Sequence, residues 1–319
     1  MGRGERGERG GECRRVAVGA ERFCAGGDDE RGNVGGTPMK YPNRLVGAAV
    51  IAAWSFVIVA QAAEPKPEEL RAGMNFMPTQ VYSEEEDAKI LAAFEGLRVA
   101  DVTDGLDAVG LFGRGMMDHE IRPLWTDTKD YSHRFIGIAV TARFVPTQEP
   151  APGIMNEADY DAWAGKWYNE KSKEHFIPIL RKGSVIVLED AVNADVGSIG
   201  SANIMIWKSK GAVGVVTNAG TRDSDEIATQ KVPIYTRTVT RGIRPGRNEL
   251  ESVNRPVVVG GALVKPGDVI VADGDGVIVV PRAYALRVAA YAHKILEGDK
   301  NARRGLYKEL GLPEDKSVR

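Results

Sequence analysis

The strongest pattern along the chain is a series of short apolar runs, each closed by glycine, proline or aspartate. Residues 135–145 (FIGIAVTARFV), 184–188 (SVIVL), 212–217 (AVGVVT), 268–272 (DVIVA) and 276–280 (GVIVV) are dense in β-branched side chains. Runs of this length with little polar alternation predict strands buried on both faces. Residues 256–264 (PVVVGGALV) predict a further strand. Residues 232–235 predict a short one, with its proline near the start where a missing N–H is tolerated. Helical spacing separates these runs. Over 83–98, Ser83 is a cap, Glu84 to Glu86 suit the positive helix end, and Ile90, Leu91 and Phe94 make an apolar face. Thr103 is placed to cap a second short helix from Asp104, and 200–210 and 222–228 predict a helix and a helical turn. Pro281 opens a terminal helix at its first turn. Residues 151–177, rich in aromatic and charged groups, fit either a helix or an irregular excursion. The polar tail after Gly305 is expected to fray. Buried strands covered by helices predict one α/β domain of stacked layers.

The N-terminal part follows another pattern. Residues 1–38 are glycine-rich with few large apolar side chains, too little to order themselves. From Met39 the chain reads as a secretory signal: basic Lys40 and Arg44, an apolar run at 45–60, then Ala60-Gln61-Ala62 as a small-x-small cleavage site. The simplest expectation is that translation starts at Met39 and that the mature chain is exported, periplasmic or secreted, with no stable membrane span after cleavage. The expected division is a leader at 1–38, a signal at 39–62, a linker at 63–82, the domain at 83–298 with an insertion near 151–177, and a polar tail at 299–319. Cys13 and Cys24 both precede Met39, so the expected mature chain has neither disulfide nor thiol chemistry. The 44 acidic and 42 basic residues nearly cancel, to a formal charge of -2. No basic surplus marks a nucleic-acid binder.

The stretch 198–227 (SIGSANIMIWKSKGAVGVVTNAGTRDSDEI) concentrates the candidate chemistry. A Gly-Ser pair opens a helix whose first N–H groups are unpaired, a ready place for a carboxylate or phosphate. About 20 residues later a buried strand ends in Gly-Thr-Arg-Asp. Arg222 offers a bidentate fork to the same anion, and Asp223 a hard oxygen ligand for Mg²⁺ or Mn²⁺. The plainer alternative is a capping salt bridge between Arg222 and Asp223. The four histidines, at 119, 133, 175 and 293, are scattered without metal-ligand spacing. Ser201 has no histidine base near it in sequence and makes a poor nucleophile. Trp163, Trp167 and Tyr168 suit a lid, an interface patch or a pin for a long loop.

Four segments together carry a resemblance: VADVTDGLDAVG from 99, IGIAVTARFV, GAVGVVTNAGTRDSDEI, and RPVVVGGALVKPGDVIVADGDGVIVVP. The chain resembles the family that joins RraA-like regulators of ribonuclease E with 4-hydroxy-4-methyl-2-oxoglutarate aldolases, over roughly 97–298. The resemblance implies a compact β/β/α sandwich of the swivelling-domain type, assembled as a homotrimer or homohexamer. It also implies a divalent-metal-dependent carbon–carbon lyase acting on a small 2-oxo acid or dicarboxylate and releasing pyruvate through an enolate. By that resemblance Arg222 holds the substrate carboxylate and enolate, and Asp223 binds the metal. The backbone of Ser201, Ala202 and Asn203 cradles the keto acid. The sequence departs from the family pattern at Ser201, where the aldolases carry an acid that helps shuttle a proton. Asp195, Asp225 and Glu226 are candidate substitutes. Asn218-Ala219 also replaces the usual Asp-Gly. The alternative expectation is a non-catalytic small-anion-binding or regulatory protein.

Overall fold

The computed structural model describes residues 64–190 and 195–318, and the expected leader and signal at 1–62 lie outside the described residues. The chain forms α1 (Pro67–Ala72), α2 (Glu84–Phe94), α3 (Val99–Ala108), the two-residue β1 (Arg122–Pro123) and the long β2 (Phe135–Pro146). Residues 151–177 carry α4 (Glu157–Glu170). Strand and helix then alternate: β3 (Ser184–Glu189), β4 (Gly197–Ile199), α5 (Ser201–Ser209), β5 (Ala212–Thr221), α6 (Ser224–Gln230) and β6 (Ile234–Val239). The last third holds β7 (Asn248–Val253), β8 (Val257–Val259), β9 (Ala262–Val264), β10 (Val269–Asp273), β11 (Gly276–Val280) and α7 (Ala285–Leu310).

Among the described residues nine strands make one sheet in the order β1-β6-β5-β3-β2-β10-β11, with β4 on β5 and β7 on β2. β2, β3, β5 and β6 run parallel, while β10 is antiparallel to both β2 and β11. The segment leading into β1 nearly closes the sheet into a barrel. Val279 N–H donates to Gly115 O at 2.8 Å and Met117 N–H to Val277 O at 3.1 Å, while Arg122 and Pro123 pair with β6. Stitching both edges leaves little open strand for unwanted pairing. The β8–β9 hairpin plugs the interior with Val257, Val259, Ala262 and Val264.

Period-2 alternation explains why the strands read as unbroken apolar runs. On β3, Val185 and Val187 face the barrel core while Ile186 and Leu188 pack beneath α5 and α6. On β10, Ile270 and Ala272 point inward, and Val269 and Val271 pack with Ile278 and Val280 under α2, α3 and α7. Both faces are covered, so only Glu189 at the end of β3 is left partly open to water. The fold is the mixed α/β swivelling-domain type expected.

Several local differences have physical causes. The run 256–264 is a hairpin and not one strand, because Gly260 and Gly261 both take positive φ, 56° and 76°. The second helix begins at Val99, where Asp101 receives the Arg98 N–H at 3.0 Å, and Thr103 sits inside it bonded back to Val99 O. The terminal helix does not fray at Gly305 but continues to Leu310, and Arg303 and Tyr307 hold the residues after it. Ser83 caps α2 as expected, completing a reciprocal capping box with Glu86.

Candidate functional site

The site forms where β4 lies parallel to the end of β5, pairing Gly197 with Gly220 and Ile199 with Thr221. Arg222 N–H donates to Ile199 O at 2.9 Å, and the Thr221 hydroxyl donates to the same oxygen at 3.0 Å. This pairing brings Gly200-Ser201 beside Arg222-Asp223, across the 21 positions that separate them in sequence. Two glycines permit the approach. A Cβ on Gly197 would lie 2.9 Å from the Arg222 Cβ, and one on Gly200 would lie 2.8 Å from Asp223 Oδ2. Asp223 itself is left-handed, with φ 59° and ψ 42°, a conformation aspartate tolerates better than most residues but at a cost of roughly 1 kcal/mol. That turn directs its carboxylate at the start of α5 and away from its own helix, α6.

The Asp223 carboxylate takes the donors that an external anion was expected to use. Its Oδ2 accepts from Ser201 N–H at 3.0 Å and from the Ser201 hydroxyl at 3.1 Å, and its Oδ1 is 3.5 Å from Arg222 Nε. The carboxylate thus caps α5 from across the strand pair, a favourable place for negative charge. Arg222 is partly open, its side chain 36% exposed, and its outer guanidinium nitrogens have no hydrogen-bond partner among the described residues.

The neighbouring donors are also filled, by residues the sequence did not single out. Asn203 Nδ2 donates to Glu174 Oε1 at 2.7 Å, and Trp207 Nε1 donates to Glu174 Oε2 at 2.7 Å. Arg244, only 2% exposed, pairs with Glu174 Oε1 at 2.7 Å and also donates to Ser198 O and Ser172 O. Beneath it, Asn248 Nδ2 donates to Asp190 at 2.8 Å and to Ser198 Oγ at 2.8 Å, and Ser198 Oγ donates to Asp190. Asp190 N–H in turn donates to Asn218 Oδ1 at 3.0 Å, which gives Asn218 a structural duty. Glu174 lies in the 151–177 segment. α4 seats that segment on the start of β7 and the loop before it: Trp167 Nε1 donates to Asn248 O at 3.0 Å, and Trp163 packs against Gly246. Trp167 is therefore a buried pin. Tyr168 is half-open, and burial raises its hydroxyl above the usual phenol range, with the Arg244 and Arg222 charges pulling the other way.

These placements correct the metal expectation. Among the described residues no three histidine, cysteine, aspartate or glutamate side chains converge on a point that would hold a cation. Asp223 stands as a lone carboxylate already engaged by Ser201. Of the candidate substitutes, Asp195 is tied to Arg241 N–H and Nε, both at 2.9 Å, while Asp225 and Glu226 lie in the first turn of α6. The expected Mg²⁺ or Mn²⁺ cofactor is therefore not supported. The metal-dependent aldolase or decarboxylase that relied on it falls too, since its enolate needs the metal's charge. Ser201, whose backbone was expected to help cradle a keto acid, donates both its N–H and its hydroxyl to Asp223. Ala202 is exposed, and Asn203 holds Glu174.

The model for Aldolase/RraA, RraA-like, matches residues 99–279, more than half the chain. The chain belongs to the Aldolase/RraA family. Solved structures agree on the fold. An uncharacterized protein from Pseudomonas syringae pv. tomato superposes with a TM-score of 0.52 at 22% identity, covering 76% of this chain and 100% of that one. Streptomyces coelicolor RraAS2, described as an unusual member of the RNase ES inhibitor RraA protein family, gives 0.54 at 22% identity, covering 71% and 99%. In sequence, this Aldolase/RraA member is 27% identical to Legionella pneumophila DlpA over 184 residues, 57% of this chain and 26% of DlpA. It is 28% identical to a putative 4-hydroxy-4-methyl-2-oxoglutarate aldolase of Halalkalibacterium halodurans, over 39% of this chain and 59% of that protein. The chain thus spans less than two thirds of either relative's length.

Proposed function

We propose that the chain is a non-catalytic, small-anion-binding regulatory member of the Aldolase/RraA family. The observation that carries this reading is the occupancy of the α5 start by Asp223, which leaves the outer edge of Arg222 as an anion receptor. Ser201 supports it, since a hydroxyl is a poor base at neutral pH. The ligand is a small carboxylate that meets the outer edge of the Arg222 guanidinium, with the neutral Tyr168 hydroxyl as a second donor. A guanidinium matches a carboxylate in a planar, two-bond geometry. RraAS2 carries an inhibitor's name, which fits a family fold serving regulation. Export places the protein away from a cytoplasmic ribonuclease, so the regulated partner would lie outside the cytoplasm. N-terminal sequencing of protein recovered outside the cytoplasm is expected to begin after Ala62.

Calorimetric titration with oxalate and pyruvate, without added metal, tests the reading. Binding is expected in the wild-type chain and is expected to be lost in Arg222→Ala. Metal-dependent pyruvate release from oxaloacetate, above the spontaneous rate and abolished by Arg222→Ala, would overturn it.

A further inference from the structure

The insertion places a carboxylate of this chain into a set of donors that is built for one. Glu174 receives Asn203 Nδ2, Trp207 Nε1 and the Arg244 guanidinium, each at 2.7 Å. Three donors on α5 and the loop before β7 therefore converge on a single carboxylate that is 11% exposed. The Arg244 charge is closed to water and needs a counter-anion wherever the insertion stands. This cluster adjoins the Arg222 site directly. The Cβ position above Gly200 lies 3.6 Å from Asn203 Oδ1 and 3.6 Å from Arg222 Nε. Tyr168, on the same insertion, feels Arg244, Arg222 and Glu174 together. Two polar atoms of the surrounding wall, Asn248 Oδ1 and Ser172 Oγ, are buried without partners among the described residues.

We infer that Glu174 is an internal ligand, and that residues 151–177 act as a plug that competes with an external carboxylate for Asn203, Trp207 and Arg244. The inference rests on the anion-binding reading above and adds its regulation. With Glu174 seated, an incoming acid has only the outer edge of Arg222. With the insertion lifted, the same acid also gains a buried guanidinium and two neutral donors. The apparent affinity is then the intrinsic affinity scaled by the fraction of molecules in which Glu174 has left. If that fraction is about a tenth, removing the glutamate tightens binding about tenfold.

The test is calorimetric titration of oxalate into the full chain and into Glu174→Gln and Glu174→Ala. Both variants are expected to bind about tenfold more tightly than wild type. Adding Arg244→Met to either is expected to cancel the gain. Hydrogen exchange on the wild-type chain gives a second measurement that needs no variant. Saturating oxalate is expected to speed exchange of the amides in 157–174. Unchanged affinity in folded Glu174 variants, or exchange in 157–174 that oxalate leaves alone or slows, overturns the plug. If wild type binds oxalate through Arg222 and the Glu174 variants bind no better, the plug fails and the anion-binding reading stands. If no form binds oxalate, both fail.

Discussion

Replacing Arg244 by methionine gives the sharpest test of how the site is held together. The change removes a guanidinium that pairs with Glu174 at 2.7 Å and donates to Ser198 O at 3.0 Å and Ser172 O at 3.3 Å. It also removes the guanidinium carbon that lies over the Phe144 ring, 4.9 Å from its centre. Glu174 is then left nearly buried, with two neutral donors and no counter-charge. Breaking one side of a buried ion pair costs about 3–5 kcal/mol, most of it the stranded partner. For a domain of this size, each kcal/mol moves the melting midpoint by about 2–4 °C, so the expected drop is roughly 6–20 °C. Glu174→Gln keeps the shape and strands the arginine instead, with a loss of similar order. The double variant strands neither charge. Its cost is therefore expected to fall short of the sum of the singles by about 2 kcal/mol or more. Urea denaturation of the four proteins, with slopes compared to confirm that each unfolds alike, measures the cycle. An Arg244→Met within about 0.5 kcal/mol of wild type, or a double variant whose cost equals the sum, would refute the reasoning.

Three further outcomes follow from the structure. Burial holds the His133 imidazole below its ordinary value of 6.5, with the Arg134 charge adding to the effect. The unfolded chain therefore takes up this proton first, so stability is full above about pH 6.5 and falls as pH drops below it. Thermal midpoints between about pH 7.5 and 5 are expected to fall less in His133→Gln than in wild type, and parallel curves would sink the assignment. Gly214→Ala would set a Cβ 2.4 Å from the Phe135 ring, which is itself wedged edge-on against Tyr235. The expected loss is about 1–3 kcal/mol in urea denaturation, and a neutral result would mean that the barrel interior yields more readily than its packing implies. Adding Mg²⁺ or a chelator is expected to leave the melting midpoint unchanged in wild type and in Asp223→Asn alike. A metal-induced rise in wild type that Asp223→Asn abolishes would restore a cation at that carboxylate.

The fold was legible where burial on both sides of a layer left no choice of residue. β3, β10 and β11 appear in the sequence as nearly continuous valine and isoleucine because both of their faces are covered. β7 did not, because its pattern, NELESV, is that of a strand paired only with β2 and partly open to water. β4 is three residues long and takes its conformation from its neighbour β5. The hairpin at 257–264 was masked by its own apolar run, although the Gly260-Gly261 pair inside that run was a usable turn signal. The site was half legible. Local sequence fixed the two segments that meet, the helix start at Ser201 and the strand end at Arg222. Glu174 and Arg244 gave no local sign. Arg244 sits in RGIRPGRNE, which reads as a solvated basic loop, and its partner is 70 positions away. Only the tertiary placement of residues 151–177 beside α5 turns that loop arginine into a buried cation.

The same contrast explains why the Arg222-Asp223 pair did not bring the chemistry its pattern suggested. The spacing between the helix start and the Arg-Asp pair encodes a backbone event, the parallel pairing of β4 with β5, and that event occurs here. What a carboxylate does after such an event depends on which donors remain unfilled nearby. With an acid at the helix start, two carboxylates would face each other, and their repulsion would favour a cation or a shared proton between them. With Ser201 there, the hydroxyl and the amide both donate to Asp223, and the repulsion becomes a cap. A single serine thus changes the pair from a place that attracts positive charge to one already neutralised by hydrogen bonds. Ser201→Asp is the reversal that checks this step. It is expected to weaken the α5 start and lower the midpoint, and to make the midpoint rise with added Mn²⁺. A variant as stable as wild type and indifferent to metal would show that the serine is not what disarms the site.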